Sequence, residues 1–103
     1  MNTLVFNLSL DDILIKLREL KADAKRKYKA EIRGVFGSFV RGEQTMDSDL
    51  DVLVEYDDGA NLLDHVGLSL FLEEQLGFSV DVVPESAIRE EIREDILREK
   101  VTI

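Results

Sequence analysis

The sequence predicts an α/β (α+β) fold in which a small mixed β-sheet packs against helices. Apolar residues at helical spacing occupy three segments, residues 9–28, 61–76 and 85–100. Apolar runs typical of strands occupy three others, residues 31–36, 50–56 and 78–83. The third observation is their order, because strands that alternate with helices favour a layered arrangement of sheet and helices.

Length and composition limit the possible classes of protein. The chain has 103 residues, and we expect one domain over residues 1–103. The formal net charge of −9 disfavours direct binding of nucleic acid or of an anionic membrane, because both need clustered Lys and Arg. The absence of cysteine excludes disulfides and thiolate metal sites. Residues 1–10 lack the basic start of a signal peptide, so we expect a cytoplasmic protein.

The first predicted helix covers residues 9–28. Ser9 is a suitable N-cap, and Asp11 and Asp12 favour the positive end of the helix dipole. Five apolar residues form one inward stripe: Leu10, Ile13, Leu14, Leu17 and Leu20. The basic residues at the end suit a helix C-terminus, and we expect a solvated face there; contact with an acidic partner is the alternative.

The middle of the chain contains two predicted strands joined by a turn. The strand at residues 31–36 stops at Gly37, a short helical turn covers residues 38–42, and a polar loop precedes the strand at residues 50–56. Alternation in that strand predicts two faces. Its apolar face holds Leu50, Val52, Val54 and Tyr56, and its other face holds Asp49, Asp51, Leu53 and Glu55.

Two helices and one strand complete the prediction. Asn61 is expected to cap a helix that ends at Gly77. We predict that five of its side chains point inward: Leu62, Leu63, Val66, Leu70 and Phe71. The third strand, residues 78–83, is closed by Pro84. The last helix, residues 85–100, is expected to bury a stripe of Ile88, Ile92 and Ile96, which could alternatively meet a partner or a second copy.

Three aspartates form a candidate metal site. Asp49 and Asp51 are two residues apart at the start of a strand, so their carboxylates share one face. Like charges this close are unfavourable without a cation, and Mg²⁺ prefers such oxygen ligands. Asp81 interrupts an apolar strand, where aspartate is uncommon. If the two strands are neighbours, the three carboxylates could hold two Mg²⁺ ions. The alternative is exposed acids on an edge strand and a loop.

A candidate phosphate site precedes these acids. Gly37 and Ser38 stand where a strand ends and a helical turn begins, and such a turn offers free backbone N–H groups to an anion. Glycine permits close approach of a phosphate, and the Ser38 hydroxyl can donate a hydrogen bond to it. Arg41 lies three residues further on and could contact a triphosphate or pyrophosphate. Each of these residues alone is more often a plain turn or a surface charge.

Together these residues resemble the nucleotidyltransferases of the DNA polymerase β superfamily. The signature of that family is Gly-Ser, a gap of about ten residues, Asp-x-Asp and a third acid on a later strand. Here Gly37-Ser38 is followed by ten residues and then Asp49-Leu50-Asp51, and Val80-Asp81-Val82-Val83 matches the later strand. The resemblance covers residues 31–84 and implies a nucleotidyltransferase (polymerase β-like) fold.

The small size is similar to that of the minimal nucleotidyltransferases, many of which are antitoxins paired with HEPN-domain toxins. The resemblance implies transfer of AMP from ATP to a tyrosine of the toxin, and it is consistent with an oligomer formed with that toxin. It implies that Asp49, Asp51 and Asp81 bind Mg²⁺ and are catalytic. By the same resemblance, the ATP phosphates would contact Gly37, Ser38 and Arg41.

Two alternatives stay open for the function. The chain could neutralise its partner by binding alone, which its small size and apolar helix faces would allow. It could also adenylylate a small hydroxyl compound, although no added substrate domain is visible in the sequence.

Overall fold

The computed structural model describes residues 9–103. Its elements are, in chain order, α1 (Leu10–Tyr28), β1 (Ala30–Phe36), α2 (Ser38–Arg41), β2 (Leu50–Tyr56), α3 (Leu62–Leu76), β3 (Val80–Pro84), a 3₁₀ turn (Glu85–Ala87), α4 (Glu90–Glu99) and β4 (Val101–Thr102). β1 and β3 differ from the predicted strands by at most two residues at either end. The expectation that the chain lacks a signal peptide depends mostly on residues 1–8, which lie outside the described residues.

The four strands form one mixed sheet. Their order is β3-β2-β1-β4, with β1 antiparallel to both β2 and β4 and with β2 parallel to β3. α3 connects the two parallel strands, since a tight turn cannot join parallel neighbours. The predicted fold class, a small mixed sheet with helices packed against it, is therefore confirmed.

α1 begins where the sequence predicts. The Ser9 hydroxyl accepts a hydrogen bond of 3.1 Å from the Asp12 N–H, and the Asp12 carboxylate accepts one of 3.2 Å from the Ser9 N–H. This capping box satisfies two donors of the first turn. The helix stops at Lys29, whose left-handed backbone (φ 56°) turns the chain toward β1. The predicted stripe of α1 is buried except for Leu10, which is partly buried.

The main core lies between one face of the sheet and the helices α1 and α3. β2 contributes Leu50, Val52 and Val54 to it, as the alternation predicts. A smaller apolar cluster lies on the opposite face and contains three buried residues: Phe36, Leu53 and Ile88. α4 packs against this cluster through Ile96 and Leu97. No helix of residues 9–103 is long and apolar enough to cross a membrane.

The predicted inward face of α3 is wrong for four of its five residues, all except Phe71. Leu62, Leu63 and Leu70 are 74%, 80% and 61% exposed, and Val66 is also exposed. The residues that α3 buries against the sheet are Leu68, Leu72 and Leu76, with Phe71 partly buried. The cause is that α3 is apolar on both sides, so its spacing allows two opposite stripes and the sequence alone does not choose between them. The predicted cap at Asn61 and the end at Gly77 are confirmed.

The last predicted helix is also corrected. Residues 85–87 form the 3₁₀ turn, and Ile88 and Arg89 have extended backbone before α4 begins. This break lets Ile88 enter the smaller apolar cluster, where it is 7% exposed, while Ile92 is 46% exposed and Ile96 is partly buried. The three isoleucines therefore do not form one buried stripe, because the break separates Ile88 from Ile92 and Ile96 of α4.

β4 is a strand that the sequence analysis did not identify. Its two residues, Val101 and Thr102, pair with Val35 and Gly34 of β1. A side chain at position 34 would collide with the Val101 carbonyl, so glycine permits this close approach. So short a strand has no recognisable alternation, which explains why the pattern analysis missed it.

Candidate active site

The parallel pairing of β2 and β3 brings two of the predicted acids together. Asp51 lies directly opposite Asp81, next to the pair Leu50 and Val80. Leu50 and Val80 face the main core, so alternation directs both aspartates to the other face of the sheet. Asp49 precedes β2 by one residue and lies near enough for its charge to act on Asp51.

Asp51 is the half-buried member of this group, whereas Asp49 and Asp81 are exposed. Burial, followed by the charges of Asp81 and then of Asp49, raises the pKa of Asp51 to about 6 from 3.8. The cause is that a low-dielectric environment and like charges both disfavour the ionised carboxylate. The site is therefore a concentration of negative charge that a bound cation would relieve.

The turn between β1 and α2 lies against these acids. Gly37 has φ 85° and ψ −154°, a backbone conformation that suits glycine. A side chain at position 37 would collide with the carboxylate of Asp51, so the turn and the acid are in close contact. Phe36, the last residue of β1, pairs with Asp51 in the sheet. The predicted phosphate site and the predicted acid site are therefore adjacent.

Two apolar side chains anchor this turn from the core side. Phe39 and Val40 of α2 pack against the main core, and the Phe39 ring stacks on Phe78 with their centroids 5.7 Å apart. Phe78 precedes β3, so this contact joins the segment before Asp81 to the turn after Gly37. Ser38 is half-buried at the first position of α2.

Arg41 lies beside the acids but is held by other carboxylates. Its Nε donates a hydrogen bond of 2.9 Å to Glu43, and its Nη1 donates one of 2.6 Å to Glu99 at the end of α4. The Arg41 charge is close enough to act on Asp51, where it opposes the rise of the pKa. The sequence analysis did not identify Glu99, and no local signal could have done so, because it lies 58 residues from Arg41 in the chain.

The oxygen donors fit a hard divalent cation. In residues 9–103 no three carboxylate, imidazole or thiol groups form a ready-made metal site. The structure instead pairs Asp51 with Asp81 and leaves Asp49 beside them. This arrangement suits Mg²⁺, which commonly takes one or two carboxylates and completes its coordination with water and substrate phosphates.

Comparisons with known proteins identify the family of this chain. Residues 17–103 match the family described as nucleotidyltransferase domain. The protein adenylyltransferase MntA of Thermococcus cleftensis is 38% identical over 96 residues, which cover 93% of this chain and 97% of that protein. The solved structure of a putative minimal nucleotidyltransferase has a TM-score of 0.77 and 41% identity, and the match covers 93% of this chain and 97% of that one.

Two solved toxin–antitoxin structures share the fold at lower identity. One contains AMP-PNP and has a TM-score of 0.63 and 22% identity, over 79% of this chain and 67% of that one. The other is a mutant MntA–HpeT pair, with a TM-score of 0.62 and 18% identity over 92% of this chain and 71% of that one. The family match spans most of the chain and includes the turn and all three acids. The chain therefore belongs to the nucleotidyltransferase domain family.

Proposed function

We propose that this chain transfers AMP from ATP to a protein hydroxyl, specifically a tyrosine of a cognate HEPN-domain toxin, and thereby acts as an antitoxin. The observation that carries the proposal is the Asp51–Asp81 pair directly against the Gly37 turn. A site of this kind places acids and phosphate-binding backbone within reach of one triphosphate. The relative in Thermococcus cleftensis, which bears the name protein adenylyltransferase, supports the choice of a protein acceptor.

The proposed reaction exchanges one phosphorus–oxygen bond for another. The acceptor oxygen bonds to the α-phosphorus of ATP, and the bond from that phosphorus to the pyrophosphate oxygen breaks. The acceptor proton leaves to solvent or to Asp81, which is exposed and can act as a base. Asp49, Asp51 and Asp81 would hold Mg²⁺, which when bound neutralises charge on the transferred and leaving phosphates.

The remaining site residues would orient the triphosphate. The backbone at Gly37 and the hydroxyl of Ser38 would bind the β- and γ-phosphates. No side chain caps the start of α2, so no side chain competes with a phosphate for the backbone N–H groups there. Arg41 would assist with the leaving pyrophosphate after exchanging at least one of its two carboxylate partners. We propose that residues 1–103 work as one domain in the cytoplasm, where ATP is available.

Two observations support the proposed partner. The two toxin–antitoxin structures share the fold of this chain, and one of them contains the ATP analogue AMP-PNP. The net charge of −9 also favours association with a basic protein, because complementary fields accelerate encounter. Binding without transfer remains the second candidate function, favoured by the exposed apolar side chains of α3.

The first test is intact-mass spectrometry of the proposed partner, a HEPN-domain toxin, after incubation with the chain, ATP and Mg²⁺. We expect a gain of one or more AMP units. Asp49→Asn should reduce the rate of transfer by about 100-fold or more, because it removes charge from the site. Asp47→Asn is the matched control, since Asp47 is an exposed loop residue outside the site.

The outcomes separate the candidate functions. An equal rate in Asp49→Asn and in the wild type would contradict the assigned site. A tight complex that gains no AMP, and that still neutralises the toxin after Asp51→Ala, would favour neutralisation by binding alone. Labelled AMP found on small hydroxyl compounds, and not on the protein, would favour a small-molecule acceptor.

A further inference from the structure

α3 has an exposed apolar surface that the proposed reaction does not use. We define the α3 stripe as Leu62, Leu63, Val66 and Leu70, which are 74%, 80%, 46% and 61% exposed. These residues are neighbours on one side of the helix, because residues three and four apart are adjacent. The opposite side of α3 is already buried against the sheet. A helix with apolar residues on two opposite sides is typical of a helix that is covered on both.

A groove extends this surface beyond the helix. It has a volume of about 530 Å³ and shares Leu62 with the stripe; its other walls include Tyr56, Ala60, His65, Pro84 and Ala87. The Tyr56 hydroxyl and the His65 Nδ1 form a hydrogen bond of 2.7 Å in the groove. The stripe and the groove therefore form one continuous surface, with a recess suited to an apolar side chain and a polar pair that can orient it.

The surface lies away from the acids. Tyr56 and Pro84 are the last residues of β2 and β3, whereas Asp51 and Asp81 are the second residues of those strands. α3 also covers the face of the sheet opposite to the one that carries the acids. A protein bound at the stripe would consequently leave the acid site open to ATP.

The size of the stripe suits the centre of a protein interface. Four side chains with these exposures form an apolar patch on the order of 400 Å², within the range of functional patches on monomers. This is about half of the ~800 Å² that each partner contributes to a standard interface. The groove and the polar rim can supply the remainder.

The charges favour a different protein over a second copy. Each copy has a net charge of −9, so self-association would bring like charges together. Near the start of α3, Lys25 pairs with Asp57 at 2.6 Å and Lys29 pairs with Asp64 at 3.5 Å, and Lys27 lies over the Phe71 ring on another side of the helix, 5.3 Å from its centroid. At the other end of the stripe, Glu74 is exposed.

We propose that the α3 stripe and the groove are the docking surface for the protein that accepts AMP. The complementary surface is an apolar ridge bordered by basic residues, with one apolar side chain that enters the groove. This inference rests on the proposed function for the identity of the partner. It assigns to the chain a docking surface separate from the acid site, so that binding and transfer can be altered independently.

The test measures binding without transfer. The chain carries Asp49→Asn, ATP is absent, and the probe is the HEPN-domain toxin of the mass-spectrometry test. Leu63→Glu and Leu70→Glu should each weaken binding at least about tenfold, because a charge would be buried in the centre of the interface. Ile15→Glu is the matched control, since Ile15 is a 53% exposed apolar residue on α1, and it should change the Kd less than about twofold. Thermal unfolding checks that each variant is folded.

In the active chain, Leu63→Glu should raise the KM for the protein acceptor and leave the KM for ATP unchanged. The proposal is overturned if the wild type does not bind the probe, or if the stripe variants bind like the control. It is also overturned if the chain alone is a dimer that Leu63→Glu dissociates, because a second copy would then occupy the stripe. Binding that depends on the stripe without any AMP transfer would refute the proposed function and retain the docking surface.

Discussion

The carboxylate of Asp51 shows how neighbouring residues control one acid. It is half-buried, it faces Asp81 across the parallel pair, and Asp49 lies two positions before it. All three effects raise its pKa, to about 6, while the charge of Arg41 lowers it. Ionisation of Asp51 is therefore less favourable in the folded protein than in water, and a bound cation would offset this cost.

Asp51→Asn should stabilise the metal-free protein at pH 7.5. In the wild type, the contribution of Asp51 to stability is present below pH 4 and is lost as the pH rises through about 6, because the folded state holds this proton more tightly than the unfolded state, where the pKa is near 3.8. After allowance for its partial exposure, the gain is about 1 kcal/mol, or roughly 4–8 °C in Tm. The measurement is thermal unfolding in a chelator at pH 4.5 and pH 7.5.

The gain should be much smaller at pH 4.5 than at pH 7.5. Asp47→Asn, in the exposed loop before the site, is the control and should show no such difference. A gain of the same size at both pH values would mean that the charge of Asp51 is not the cause.

The proposed role of Glu99 follows from its contact with Arg41. Its carboxylate accepts a 2.6 Å hydrogen bond from Arg41, which the proposed reaction needs at the triphosphate. Glu99→Gln removes one of the two charges that hold Arg41, so we expect a KM for ATP that is a few-fold lower. Glu94→Gln is the control, because Glu94 is exposed on the same helix. An unchanged KM for ATP in Glu99→Gln would show that this pairing does not compete with the nucleotide.

Among the elements, α3 has two apolar sides with different roles. One side contributes Leu68 and Leu72 to the main core, both of which are fully buried. The other side is the exposed α3 stripe. Helix propensity and spacing are the same for both, so the position of the sheet decides which side is buried.

Leu68→Ala and Leu63→Ala lie on different sides of α3, and we expect them to differ in their effect on the free energy of unfolding. Leu68 is 0% exposed, and its truncation leaves a cavity that costs about 2–5 kcal/mol. Leu63 is 80% exposed, and the same substitution should change the free energy of unfolding by less than about 0.5 kcal/mol. Urea unfolding of both variants is the measurement. Equal losses, or a larger loss in Leu63→Ala, would show that the stripe is buried in the isolated chain.

In the whole molecule, the sheet separates two surfaces. One face is closed by α1 and α3, and the other carries the acids at one end and the smaller apolar cluster beneath α4. Because β2 and β3 are parallel, their N-terminal ends meet, and this brings Asp51 next to Asp81. The antiparallel pairing of β1 with β2 brings the Gly37 turn to the same edge. The topology thus assembles one site from three separate segments.

Local features of the sequence determined much of this protein. The caps at Ser9, Asn61 and Gly77 depend on nearby residues, so they were predictable. The shared face of Leu50, Val52 and Val54 follows from alternation within one strand. The spacing from Gly37 to Asp51 indicated the family for a similar reason, because the turn and the acids are close in the chain.

Only the tertiary structure decided the contacts between distant segments. It selected the buried side of α3, paired β4 with β1, and joined Glu99 to Arg41. None of these follows from local spacing, since each depends on where another element comes to lie. The break at Ile88 has the same origin, because burial in the cluster beneath α4 outweighs the helical pattern of residues 85–100. Helix propensity is a weak preference, and it is outweighed where another backbone conformation buries more apolar surface against the sheet.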